Sequence, residues 1–151
     1  MVAWDRERRA LLHVENRTQL PNVQEAAGAY NAKRTWLAAS VAERIGIPRF
    51  RSVTHAFVGL WSSELLHVVR LRRATIAALC PDPIDSFEAW LAGHPPDVGV
   101  TSSFALLDPI RRGRTDRRWL IDLATALGAN TRSRYRDYTD AADALRRAGM
   151  A

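Results

Sequence analysis

One stretch of sequence decides the fold: Ala10-Leu11-Leu12-His13-Val14-Glu15-Asn16-Arg17-Thr18. It follows a first apolar run at residues 2–4 and a charged turn at residues 5–9. An apolar run, a polar turn and a second apolar run predict a β-hairpin. Because side chains alternate across a strand, one face of the second strand carries His13, Glu15, Arg17 and Gln19.

A long helix is expected directly after this hairpin, over residues 23–44, because apolar residues recur there at helical spacing. Asn22 is a suitable N-cap, and Gly46 is a suitable residue to end the helix. We expect the buried face of this helix to pack on the side of the sheet opposite Glu15.

The rest of the chain continues the alternation of strands and helices. Strands are expected at residues 50–61 and 98–107, and helices at residues 62–80, from about 85, at 117–127 and at 139–148. This order predicts one α/β domain over residues 1–151, with a mixed β-sheet flanked by helices and a helical carboxyl-terminal part.

The charge indicates a polyanionic partner. The formal net charge is +6 and the isoelectric point is near 10.6. Lys33 is the only lysine among the 22 Lys and Arg residues, so 21 are arginines. A GC-rich genome can explain the choice of Arg over Lys, but it cannot explain the excess of positive charge. Nucleic acid is the common partner of such chains, and DNA is the form we expect.

The chain is expected to be cytoplasmic and to have no membrane partner. No apolar run approaches the roughly 18 residues of a membrane helix, and residues 1–7 have no signal-peptide pattern. The single cysteine, Cys80, cannot form an internal disulfide and is expected to be a small buried residue.

Glu15 and Arg17 form the most informative pair of polar residues. A carboxylate can bind a divalent metal, and a cation on the same strand face can stabilise negative charge on a phosphate or an attacking water. The alternative is an ordinary ion pair on a half-exposed strand, which stabilises the fold little. The four histidines have no metal-ligand spacing, and His55 lies in an apolar strand, which is typical of a core histidine.

Residues 11–18, followed by Val23-Gln24-Glu25 and Tyr30-Asn31-Ala32-Lys33-Arg34, resemble the Glu-x-Lys strand and the following helix of the PD-(D/E)XK nuclease superfamily. More narrowly, they resemble nuclease-like domains that follow a helix-turn-helix in some bacterial transcriptional regulators. The resemblance covers residues 2–46 and extends to residue 61. It implies that Glu15 is a catalytic and metal-binding residue, that Arg17 takes the place of the lysine, and that Lys33 could replace the lysine from the helix. Gln24 at the helix start could support the site, and the alternative is an ordinary solvated helix residue.

This sequence departs from the superfamily pattern at two points. The superfamily places an aspartate on the strand before the glutamate, whereas Asp5 is expected in the turn. Arg17 stands where the superfamily has lysine, and arginine cannot deprotonate and prefers forked contacts with phosphate or carboxylate. The sequence therefore predicts an incomplete catalytic set that requires no cofactor, with Mg²⁺ implied only if the chain is an active nuclease.

Two arginine clusters are candidate phosphate contacts. The first surrounds a loop and the start of the following predicted helix, and consists of Arg111, Arg112, Arg114, Arg117 and Arg118. The second lies within one predicted helix and consists of Arg70, Arg72 and Arg73. Cations at a helix start are opposed by the helix dipole, so the first cluster is favoured as the nucleic-acid contact.

Three functions remain open from the sequence. The preferred one is a nucleic-acid-associated regulatory module with a degenerate PD-(D/E)XK-like site, the carboxyl-terminal portion of a helix-turn-helix regulator. The second is an active metal-dependent DNA endonuclease whose first aspartate lies upstream or on another subunit. The third is an antitoxin-like protein-interaction module. The short first strand also predicts an open sheet edge, to be paired either by a second copy near residues 2–4 in a homodimer or by a missing upstream strand.

Overall fold

The computed structural model describes residues 1–110 and 118–150. Within them the strands are β1 (Val2–Asp5), β2 (Ala10–Arg17), β3 (Ser52–Leu60), β4 (Gly99–Leu107) and β5 (Leu120–Asp122). The helices are α1 (Val23–Ile45), α2 (Ser63–Leu71), α3 (Arg73–Leu79), α4 (Asp85–Leu91), α5 (Leu123–Leu127) and α6 (Tyr138–Arg147). The predicted fold class, an α/β domain with a mixed sheet flanked by helices, is confirmed.

The five strands lie side by side in chain order. β2, β3 and β4 run parallel in the middle, and β1 and β5 pair antiparallel at the two edges. β3 is buried along its whole length, as expected for a parallel strand with helices on both faces. The carboxyl ends of the three parallel strands, at Arg17, Leu60 and Leu107, therefore meet at one edge of the sheet, which we call the carboxyl edge.

The long helix α1 begins and ends where its caps were predicted. The side chain of Asn22 accepts a hydrogen bond from the backbone N–H of Glu25, and Gly46 adopts a left-handed conformation with φ 71°, which glycine tolerates without a Cβ clash. The single helix predicted over residues 62–80 is wrong in one respect. It is broken at Arg72 into α2 and α3.

The helix predicted from residue 117 is wrong in its first half, because Leu120–Asp122 form β5 instead. Alternation along this strand sends Leu120 into the core on the α4 side of the sheet and Ile121 into the core on the α2 side. Burial of two neighbouring residues on opposite faces follows the two-residue period of a strand and not the 3.6-residue period of a helix. Asp122 then caps α5 by accepting from the N–H of Thr125.

The face covered by α1 differs from the expectation. The Tyr30 ring of α1 stacks on His13, and Lys33 contacts Glu15, so α1 packs on the Glu15 side of the sheet and not on the opposite side. The opposite side is covered by α4, whose Phe87 packs in a cluster with Leu12 and neighbouring residues. A polar strand face can accept this helix because α1 itself brings polar partners.

Among the described helices, none combines the length and the apolar character needed to cross a bilayer.

Candidate functional site

Glu15 lies near the carboxyl end of β2, with its side chain directed towards α1. Only 6% of the residue is exposed. A buried carboxylate is costly unless it is paired and hydrogen-bonded, so its partners determine whether it can stay ionised. Those partners come from β2 itself and from α1.

Two cations hold this carboxylate. Nη2 of Arg17 lies 2.7 Å from Oε1, and Nζ of Lys33 lies 2.5 Å from Oε2. The side chains of Arg17 and Lys33 are 38% and 39% exposed, so both cations also reach solvent. We call Glu15, Arg17 and Lys33 the Glu15 cluster. It carries a net positive charge, because two cations surround one carboxylate.

A pair of buried histidines continues the site into the core. Nδ1 of His13 and Nδ1 of His55 are 3.1 Å apart, so one ring donates a proton and the other accepts it. His55, predicted to be a core histidine, is 1% exposed. Nε2 of His13 lies 3.7 Å from Oε2 of Glu15. Tyr30 stacks on His13, and its hydroxyl lies 2.9 Å from Oγ of Ser102, which places polar groups from all three parallel strands beneath α1.

These surroundings set the ionisation of the site. Burial, with the charges of His13 and Arg34, lowers the pKa of His55 to about 4. Burial also lowers the pKa of His13, although the nearby Glu15 opposes this. For Glu15 itself burial raises the pKa, but Lys33 and Arg17 outweigh that effect, so its pKa lies below the ordinary value. Near neutral pH the two histidines are therefore neutral and Glu15 is ionised.

The strands beside Glu15 supply no second carboxylate to it. On the same face β1 carries Val2 and Trp4, and the residue paired with Glu15 on β3 is Phe57. Within residues 1–110 and 118–150, no group of three or more His, Cys, Asp and Glu side chains is placed to hold a metal. Mg²⁺ requires oxygen ligands, and each oxygen of Glu15 faces a cation. These residues do not fit a divalent metal.

Gln24, expected to support the site, lies apart from it. Gln24 is exposed and lines a separate cleft of about 370 Å³ together with Leu71 and Arg72. A smaller cleft of about 110 Å³ opens beside Arg17 and is lined in part by Gln19 and Asn22. The structure thus brings Glu15, Arg17 and Lys33 together and leaves Gln24 outside the group.

Most of the predicted arginine loop lies outside the described residues. This is true of Arg111, Arg112, Arg114 and Arg117. Arg118 is exposed, and its Nε donates to the carbonyl oxygen of Leu120 at 3.0 Å.

In the second cluster, Arg70 does not act as a free surface cation. Its guanidinium donates to the carbonyl oxygens of Ala126, Gly128 and Thr131 at distances from 2.9 to 3.2 Å. It therefore holds the carboxyl end of α5 and the chain that follows. Arg72 and Arg73 are exposed.

A third set of arginines was missed in the sequence. Arg132, Arg134 and Arg136 are exposed, whereas the residues between them are half-buried or buried. The signal was present as an Arg-x-Arg-x-Arg alternation in residues 132–136, which is typical of an extended segment with one solvated side.

Neither the family models, nor the curated proteins, nor the solved structures contain a match to this chain.

Proposed function

We propose that this chain is a nucleic-acid-associated regulatory module in which a degenerate PD-(D/E)XK-like site contacts phosphate without cleaving it. DNA is the expected partner. In a helix-turn-helix regulator, such a domain would sense a partner or form a dimer, while a separate part reads the bases.

The Glu15 cluster is the observation that carries the proposal. A nuclease site of this type uses its carboxylates to bind a metal, but here Arg17 and Lys33 neutralise the carboxylate. These two cationic side chains are 38% and 39% exposed, and phosphate oxygens can approach their exposed parts. Nε of Arg17 is buried, so only the exposed part of the guanidinium can reach a phosphate, through its forked N–H groups.

Substitution of Glu15 distinguishes phosphate binding from catalysis. Glu15→Gln removes one negative charge between two cations and retains oxygen and nitrogen atoms for hydrogen bonds. We expect it to strengthen binding of a labelled duplex DNA severalfold at low salt, measured by fluorescence anisotropy. Glu43→Gln, an exposed position at the far end of α1, makes the same change in net charge and should have a smaller effect. Weaker binding by Glu15→Gln than by Glu43→Gln contradicts the proposal.

Cleavage is tested on the same preparations. We expect no Mg²⁺- or Mn²⁺-dependent cleavage of plasmid or single-stranded DNA by the wild-type chain. If the wild-type chain binds no nucleic acid even at low salt, the proposal is wrong and the protein-interaction module becomes the better hypothesis.

A second candidate function is favoured by one contact. Nζ of Lys33 lies 2.5 Å from Glu15, so a lysine is present beside the glutamate even though Arg17 occupies the strand position. An active nuclease would still require a further carboxylate, from upstream or from another subunit. Metal-dependent cleavage that disappears in both Glu15→Ala and Lys33→Ala would establish this function and overturn the first. Increased cleavage in Arg17→Lys would support it further.

A further inference from the structure

Residues 132–136 lie along the carboxyl edge and are fixed there by backbone hydrogen bonds. The N–H of Arg134 donates to the carbonyl oxygen of Trp61 at 3.0 Å, and the N–H of Ser63 donates to that of Tyr135 at 2.7 Å. Ser62 and Tyr135 form a parallel β-bridge. Within residues 132–136 only Tyr135 forms such a bridge, and the backbone bends at Arg134 and Arg136. The segment is therefore an anchored loop beside the chain that leaves β3.

The inward side chains anchor the same segment. The Tyr135 hydroxyl donates to Oδ1 of Asp108 at 2.5 Å, deep in the protein. Oγ of Ser133 lies 2.8 Å from Oγ of Ser63. With backbone and inward side chains both held, the direction of the outward side chains is set by the fold and not by local flexibility.

The outward side chains are three arginines, which we call the arginine row: Arg132, Arg134 and Arg136. Exposure alternates along residues 132–136, with the three arginines exposed. The row thus presents three cations within five residues of an anchored segment.

Nε of Arg134 lies 3.9 Å from Oδ2 of the buried Asp108, so the middle arginine is partly neutralised, whereas the described residues neutralise the two outer arginines only weakly. Arg132 forms no ion pair within 4 Å among the described residues. Nε of Arg136 is 3.8 Å from Oδ2 of Asp140, and this side chain is 85% exposed. Such surface pairs are worth little. The Arg134 guanidinium lies 4.8 Å from the ring centre of Trp61, which orients it.

We infer that the arginine row is a contact surface for the phosphate backbone of a nucleic acid. This inference rests on the proposed function, because it assumes that the chain binds nucleic acid. It adds the location of the contact on the protein surface. A phosphate backbone is favoured as the partner because three exposed arginines lie close together on one anchored segment of a chain with a net charge of +6, and arginine binds phosphate through its fork of N–H groups.

The test uses two double variants that change the net charge equally. Arg132→Ala/Arg136→Ala removes the two outer members of the row and leaves Arg134 on Trp61. Arg72→Ala/Arg73→Ala removes two exposed arginines elsewhere and is the control. Binding of labelled 20-mers, one duplex and one single-stranded, is measured across a salt series. Thermal unfolding shows that both variants are folded.

We expect the row variant to reduce the slope of log affinity against log salt by about 1.8 on duplex DNA and about 1.4 on the single strand, with the control unchanged. Arg132→Lys/Arg136→Lys, which keeps the charge, should retain most of the slope. If the row variant and the control behave alike while the wild-type chain binds, the inference is wrong and the proposed function stands. If the wild-type chain does not bind, the proposed function falls, and the inference with it.

Discussion

Glu15, His13 and His55 are three ionisable residues that the fold buries within reach of one another. Glu15 stays ionised because Arg17 and Lys33 supply opposite charges at hydrogen-bond distance. The histidines stay neutral chiefly because burial disfavours their charged forms, and the hydrogen bond between their Nδ1 atoms requires one of these nitrogens to be unprotonated as its acceptor. Burial opposes the charged form of all three residues, and at Glu15 the two cations outweigh it. The histidines therefore resist protonation in the folded state, which makes the fold sensitive to acid.

Stability should fall as the pH is lowered from 7 to 4. In the unfolded chain a histidine takes up a proton near its ordinary pKa of 6.5, whereas folded His55 does so only at about 4. Between these values the unfolded state binds more protons, so the free energy of unfolding decreases, by about 3 kcal/mol from His55 alone. The lowered pKa of Glu15 acts in the same direction at more acid pH, because its ion pairs are lost when it is protonated. Urea unfolding at a series of pH values measures the slope.

Two variants assign this slope to His55. His55→Gln keeps a polar group beside His13 but cannot titrate, so we expect the slope between pH 6.5 and 4 to fall by about one proton, or about 1.4 kcal/mol per pH unit. His67→Gln, at an exposed position on α2, should leave the slope unchanged. An equal slope in wild type and His55→Gln would show that the buried pair does not govern acid stability.

At the scale of elements, the close contact between β3 and α2 depends on Gly59. A Cβ at Gly59 would lie 2.2 Å from Cδ2 of Leu65 and 3.1 Å from Cδ2 of Leu106, and both leucines are fully buried. We expect Gly59→Ala to destabilise the protein by about 1–3 kcal/mol, because the core must shift to admit a methyl group. Urea unfolding measures this change.

Gly28 is the matched control for that substitution. It lies on the exposed side of α1, and a Cβ there meets nothing within 4 Å. Gly28→Ala should stabilise the protein by about 0.5–1 kcal/mol, since alanine loses less backbone entropy in a helix. If both variants change stability by the same amount and sign, the packing of α2 on β3 does not depend on a small residue at position 59.

The elements that were predictable are those with a local cause. The caps Asn22 and Gly46 mark α1 by short-range chemistry, and the alternation in residues 10–18 identifies the face that carries Glu15. Which face α1 covers could not be predicted from this pattern, because His13 is polar in sequence but packs against Tyr30. The contact between Lys33 and Glu15 depends on that packing. From the sequence, Lys33 could therefore be proposed only as one alternative to Arg17 as the cation beside Glu15. The role of Arg70 depends on carbonyl groups more than 50 residues away, which no local pattern contains.

At the scale of the whole molecule, the carboxyl edge, where the parallel strands end, differs from the lateral edge formed by β1. The carboxyl edge is covered by residues 132–136 and by α6, which packs on Leu60 and Tyr135 through Ala141. The β1 edge is paired on one side only, with β2. Met1 and Val14 exchange both backbone hydrogen bonds. Because such pairs alternate along an antiparallel ladder, the backbone groups of Val2 and Trp4 point away from β2.

The β1 edge therefore remains the predicted site of a homodimer. Trp4 is half-exposed there, at 50%, and backbone groups directed outwards can pair with the same strand of a second copy. We expect sedimentation equilibrium to detect a dimer of the wild-type chain at high concentration. Trp4→Pro removes an outward donor without removing a β1–β2 hydrogen bond, so it should shift the equilibrium to monomer. Trp36→Ala, which removes an indole of similar exposure (52%) on α1, should leave the dimer intact. A single monomer mass for the wild-type chain across a wide concentration range would show that β1 does not pair with a second copy in solution. Equal dissociation in both variants would place the dimer contact on the exposed indoles and not on the strand.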